Sequence, residues 1–260
     1  MDEIPIYFDL VSKNEVIKIG ERYINTLRQY PEGIKFSVML CVSATGEKLP
    51  PMVLFKGKNN EYTEKVLKKL TMNKSREIYA LCCETDWADR TAYIYWLRNV
   101  FFPFQLSDPK YQKILILDRG TTNYEDDYIN WFNKNNSKYV LIPPGLTKIV
   151  QPLDVSITEK FRQRLMYWDV DFKLCNQYVR RQTEEEIIDA VLELWYNENF
   201  ITRDEIIKSF KNTGIADEVG NFSEKYDYEI SENIMDSNDE NGDVPFDKIG
   251  NDNDDKIYIY

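Results

Sequence analysis

KILILDRGTTN at residues 113–123 and YVLIPPGLTKIVQPLDVSIT at residues 139–158 decide how this chain folds. Four consecutive apolar residues, Ile114 to Leu117, end in a single carboxylate, Asp118. A run that short and that apolar, entered from Lys113, predicts a strand covered on both faces. Tyr139 to Ile142 is a second such run, broken by Pro143-Pro144-Gly145. A helix between the two makes parallel pairing the expectation. Asp154 follows as an isolated carboxylate just ahead of a helical segment. Hard oxygen ligands at such positions suit a shared divalent cation. Their plainer roles are a turn at Asp118 and a helix cap at Asp154.

Working outward, the 260 residues and 43% hydrophobic content allow one sizeable core with appendages. The net charge of −11 is uneven. It lies wholly between Gly214 and Tyr260, where fourteen Asp and Glu face three Lys; the rest of the chain balances and is free to carry local basic faces. There is no histidine, and Cys41, Cys82, Cys83 and Cys175 lack paired ligand spacing. A zinc site and a histidine-based triad are therefore excluded, and reduced, mostly buried thiols are expected. Without a membrane-length apolar run or a signal-peptide profile, a soluble intracellular protein is the expectation.

Residues 4–10 read as an extended segment ending at Asp9. Phe36–Val42 and Leu49–Phe55 flank Ala44-Thr45-Gly46-Glu47 as a hairpin. Lys56–Arg76 reads as a lysine-rich surface helix, Glu77–Cys83 as a third strand, and Asp89–Phe104 and Tyr124–Asn135 as helices. Ser156-x-x-Glu159, Thr183-x-x-Glu186 and Thr202-x-x-Glu205 are capping boxes, the first predicting a helix through Trp168. From about residue 228 the chain is too polar and charged to fold alone, and is read as a disordered acidic tail suited to basic partners. The expected organisation is a core over 1–175, a helical extension over 176–227 and the tail over 228–260.

The block Ile142-Pro143-Pro144-Gly145-Leu146-Thr147 with Val150-Gln151-Pro152-Leu153-Asp154-Val155 resembles that around the third acid of DDE superfamily endonucleases. The nearest likeness is to the pogo, Tigger and Jerky type of transposase and proteins derived from them. Leu115-Ile116-Leu117-Asp118 is similar to their second acidic block, and Met1-Asp2-Glu3-Ile4-Pro5 to their opening Asp-Glu-Thr-Pro. The phrases Ser43–Pro51 and Ser209–Ile215 also match, so the likeness runs over roughly residues 1 to 230. It implies a ribonuclease-H-like mixed α/β sheet flanked by helices. It implies Asp2, Asp118 and Asp154 as catalytic and metal-binding residues, with Asp9 the alternative first acid on strand pattern.

The activity implied is phosphodiester cleavage or strand transfer on DNA through a two-metal Mg²⁺ or Mn²⁺ site, in the nucleus, with self-association. Lys148, Lys160, Arg162 and Arg164 are the candidate phosphate contacts. Asn123 stands where the family carries a histidine, and Asp86-Trp87 where Gly-Trp is usual. No helix-turn-helix region lies within these residues. The competing expectation is a domesticated relic that keeps the fold as a nucleic-acid or protein binding module.

Overall fold

Period-two alternation in the first half of the chain builds a sheet that is apolar on both faces. The structure, a computed structural model, describes residues 1–8, 34–58, 61–85, 87–104, 112–118, 131–143, 145–176, 180–216 and 258–259. Strand β1 (Asp2–Phe8) pairs antiparallel with β2 (Ile34–Leu40), which pairs antiparallel with β3 (Met52–Lys56). Helix α1 (Glu61–Met72) then returns the chain so that β4 (Tyr79–Cys83) lies parallel to β3. A second sheet has β5 (Lys113–Asp118) at its centre, parallel to β6 (Ser137–Ile142) and to the two-residue β7 (Tyr258–Ile259). The two sheets meet where the Met1 amine donates to the Ile116 carbonyl at 3.0 Å.

The interior position of Ile114–Leu117 and its parallel pairing with 139–142 match the sequence expectation. The extended segment read over residues 4–10 is strand over Asp2–Phe8, which also carries Asp2. Asp9 and residues 124–130 lie outside the described residues, while 131–134 are helical. Tyr258 and Ile259, assigned by composition to a disordered tail, are paired in the sheet.

Alternate side chains feed two cores. Ile4, Ile6, Phe8, Phe36, Val38, Val53, Phe55 and Ile116 pack on one face with α5 (Thr158–Cys175), α6 (Glu184–Tyr196) and α7 (Arg203–Asn212). Met39, Met52, Leu54, Leu115 and Leu117 pack on the other, against α2 (Arg90–Trp96), the π-helical turn Leu97–Phe101 and Phe132. Asp89 caps α2 by accepting from the Ala92 amide at 2.8 Å. The turn's far end is closed by the buried Lys113, whose ammonium donates to the carbonyls of Phe101, Phe102 and Phe104 at 3.2, 2.8 and 3.0 Å. Burial lowers the Lys113 ammonium to about 8.

Thr183 and Thr202 cap α6 and α7 as their spacing predicts, Thr183 in a full capping box. Ser156-x-x-Glu159 caps nothing. Ser156 ends the short helix α4 (Pro152–Ser156), which follows α3 (Thr147–Val150), and α5 continues past Trp168 to Cys175. The α5 entry is set by packing of Ile157 and Phe161, both fully buried, which outweighs a cap. Between β2 and β3, Gly46 has φ +88°, and a Cβ there would collide with Arg203 Cγ, so the turn requires glycine twice over.

The helical layer is latched to this hairpin. Buried Trp195 donates from Nε1 to the Leu49 carbonyl at 2.8 Å, while Lys48 Nζ donates to the Trp195 carbonyl at 2.8 Å. Replacing Trp195→Phe strands the Leu49 carbonyl and opens a gap. The expected cost is about 2–4 kcal/mol, read as a lowered urea midpoint at unchanged slope.

Candidate active site: an aspartate pair beside a strand end

Side-chain alternation decides which carboxylates can meet. Asp2 has the parity of Ile4 and Ile6, and Asp118 that of Ile116, all on the face that packs against α4 and α5. Asp154 comes from the first turn of α4, next to Leu153, which is buried in the same core. Three positions remote in sequence thus project on one side of the sheet.

The Gln151-Pro152-Leu153-Asp154 motif has a mechanical reading. Gln151 is buried, and its Nε2 donates to the Met1 carbonyl at 2.9 Å. Pro152 starts α4, where its missing N–H costs nothing. Leu153 anchors the turn in the core, and the next residue, Asp154, meets Asp2. The Met1 residue is therefore held from both sides, its amine on Ile116 and its carbonyl on Gln151. Gln151 also lines a small cavity with Met1, Val42, Ile116 and Phe210, and its buried Oε1 has no protein partner.

Asp2 and Asp154 are hydrogen-bonded through their side chains. Thr158 Oγ1 donates to Asp2 Oδ2 at 3.1 Å, and the Glu3 amide to Asp2 Oδ1 at 2.9 Å. Burial pushes the Asp2 carboxyl up to about 7, and the neighbouring Asp154 charge pushes the same way; the Met1 amine and Thr158 only partly offset them. Asp154 is also raised by burial, against the pull of Asp2's hydrogen bond and of Arg162 and Lys148, with Asp118 adding repulsion. Asp2 is thus the member of the pair whose ionisation burial and Asp154 oppose most. Asp118, at the end of β5, is half-buried and within electrostatic reach of Asp154.

Among the described residues, no group of three or more Asp, Glu, Cys or His is gathered closely enough to form a metal cage. The donor set nonetheless fits a hard divalent cation: carboxylate oxygens alone, two of the side chains hydrogen-bonded to each other.

The four cations have different settings. Lys148 is exposed and, with Arg162, acts on Asp154 through its charge. Arg162 also pairs with Glu159 at 2.6 Å. Lys160 is committed to Glu205 on α7, with Nζ at 2.9 and 2.8 Å from its two oxygens. Arg164 is exposed. Sequence reasoning did not assign the roles of Gln151 and Thr158. Gln151 lay in the quoted motif, but no local pattern signals a contact 150 residues away.

A four-stranded mixed sheet flanked by helices is the architecture of a ribonuclease-H-like fold. The chain belongs to the DDE superfamily endonucleases, whose family pattern matches residues 34–211. Asp118 and Asp154 lie inside that span and Asp2 ahead of it. The human protein named pogo transposable element with KRAB domain is 25% identical over 222 residues, covering 83% of this chain and 34% of that protein. Its mouse counterpart is 28% identical over 156 residues, covering 60% of this chain and 24% of its own length. This chain thus spans about a third or less of the length of these relatives. No solved structure matches it.

The proton on Asp2 makes a signed prediction. A carboxyl raised in the folded state adds stability below its unfolded value of 3.8 that is lost as pH rises to about 7. Asp2→Asn keeps a donor toward Asp154 at every pH. The variant is therefore expected to be more stable than the parent at pH 8, by roughly 1–3 kcal/mol, with the difference shrinking toward pH 4. Urea unfolding of both proteins across that range, free of divalent metal, checks it.

Proposed function

We propose that this chain is the catalytic domain of a transposase-type, metal-dependent DNA endonuclease, with Asp2, Asp118 and Asp154 as its carboxylates. The observation that carries this reading is the hydrogen-bonded Asp2–Asp154 pair, with Asp118 at the end of β5 within electrostatic reach of Asp154. When bound, Mg²⁺ or Mn²⁺ supplies neutralisation of the carboxylates, activation of a water or DNA 3′-hydroxyl, and stabilisation of the leaving oxygen. Asp2, Asp118 and Asp154 would hold the cation, Asp2 as its deprotonated carboxylate, and Thr158 fixes the orientation of Asp2 Oδ2. Gln151, by holding Met1, sets where Asp2 starts. Lys148, Arg162 and Arg164 offer positive charge to the phosphate backbone beside the acids, whereas Lys160 serves mainly to tie α5 to α7.

A DNA substrate implies action in the nucleus, and among the described residues no helix is long and apolar enough to cross a membrane. Met166, Tyr167, Val170 and Leu174 are exposed along α5 and offer a surface for self-association.

A second reading, a domesticated relic that binds nucleic acid or protein without catalysis, draws on the lack of a gathered three-ligand group among the described residues. Calorimetric Mn²⁺ titration and nicking of supercoiled plasmid separate the two. Under the first reading the parent binds Mn²⁺ with proton release and nicks the plasmid. Asp118→Asn and Asp154→Asn each lose about tenfold or more in affinity and all nicking. Asp9→Asn leaves both intact if Asp2 is the first acid. Mn²⁺ affinity unchanged in Asp118→Asn and Asp154→Asn would remove the metal-site reading.

A further inference from the structure

The turns that deliver Asp154 carry apolar side chains into water. Leu146, Ile149 and Val155 are 41%, 67% and 39% exposed. Helix α3 is anchored by Val150, which packs against the first core, and the Gln151 amide donates to the Thr147 carbonyl at 2.9 Å. That anchoring turns Leu146 and Ile149 outward together. Residues three apart on a helical turn are neighbours, and here the Ile149 amide donates to the Leu146 carbonyl at 2.9 Å. Single exposed apolar residues are ordinary on a protein surface, whereas an adjacent pair beside a cluster of acids is a patch. Helix stability does not call for it, since isoleucine favours a helix less than lysine or glutamate does.

The surroundings of the patch define what can cover it. Lys148, between the pair in sequence, is exposed, and its charge acts on Asp154 as that of Arg162 does. Helix α3 ends at Val150 and α4 starts at Pro152, so Asp154 comes only five positions after Ile149. Fully extended, five residues span at most about 18 Å, and the two helical turns bring them closer. Base steps lie about 3.4 Å apart along a duplex. DNA with a phosphate at the acids therefore lays its next few base steps over α3. Its phosphates suit Lys148 and Arg162, and its bases are the part that can cover Leu146 and Ile149.

We propose that Ile149, backed by Leu146, is a wedge that enters a base step beside the phosphate bound at the acids, and that the preferred substrate is DNA whose bases there are unpaired or easily unstacked. The inference rests on the DNA substrate argued above and not on cleavage. Isoleucine and leucine are among the side chains that unstack DNA by insertion, against the cost of lost stacking. A mismatched step has already lost part of that stacking, so the wedge enters it at lower cost. A strand loosened there also bends its phosphate toward the carboxylates more readily than a stiff duplex does.

Fluorescence anisotropy with two short labelled duplexes, one fully paired and one carrying a central mismatch, tests this on the full chain with Ca²⁺ as the cation. The parent is expected to bind the mismatched duplex about tenfold more tightly. Ile149→Ser brings the ratio close to one with paired-duplex affinity little changed, and Ile149→Leu retains it. Lys148→Gln weakens both duplexes alike, as loss of a phosphate contact should. Because Ile149 is mostly exposed, the serine variant is expected to keep the parent's urea midpoint. Equal affinity of the parent for the two duplexes overturns the proposal, as does a preference that survives Ile149→Ser, a loss on both duplexes alike in that variant, or no DNA binding. A parent dimer that becomes monomeric in Ile149→Ser also overturns it, because the patch then belongs to a second copy. Mn²⁺ binding and plasmid nicking without the mismatch preference remove the wedge and leave the nuclease reading standing. The preference without Mn²⁺ binding or nicking does the reverse.

Discussion

The seat of Met1 is the constraint on which the rest of this structure turns. Its amine is held by the Ile116 carbonyl and its carbonyl by Gln151, so one residue joins the four-stranded sheet, the β5 sheet and the Gln-Pro-Leu-Asp turn. Both contacts are buried, where an unmade hydrogen bond leaves a polar group with neither protein nor water to pair with. The first carboxylate is the very next residue. Its position is therefore set by the main chain, with little left to the rotamer of a flexible side chain.

From that seat the electrostatics follow. Asp2 enters a site already bordered by Asp154 and is kept from ionising by burial first and by its neighbour second. Two like charges in a partly dry cleft are costly, and holding a proton between them relieves the cost until a cation does so better. The surrounding cations moderate Asp154 without neutralising the cluster, since Arg162 is shared with Glu159 and Lys160 is taken by Glu205. Lys160 shows how a charge that looks functional in sequence can belong to helix packing: it bridges α5 to α7 and lies over the Phe200 ring at 5.0 Å.

The two-faced sheet explains why so much apolar sequence sits in short runs. β2 buries Phe36 and Val38 on one side and Ser37 and Met39 on the other, and β5 does the same with Ile116 against Leu115 and Leu117. Cys41, Cys82 and Cys83 are buried among these residues as small apolar side chains, the thiols of Cys41 and Cys83 raised mainly by burial. The helices close both faces, and the Trp195–Leu49 and Lys48–Trp195 bonds fasten one layer to the β2–β3 hairpin.

What the sequence by itself determined was local or periodic. The buried β5 run, the hairpin around Gly46, and the threonine caps of α6 and α7 are each written within a few residues, because backbone conformation and capping are short-range effects. The family likeness supplied the three aspartates and the mixed α/β class. Only the tertiary structure decided the rest. Ser156 fails as a cap because Ile157 and Phe161 are drawn into the core, and Thr158 turns to Asp2. The place of Asp2 in the site is tied to Met1, whose partners lie 115 and 150 residues away. Tyr258 and Ile259 leave an acidic tail to join the sheet because an interior strand presents them an edge. Such pairings depend on which backbone groups are left without water, and that is settled only once the chain has closed on itself.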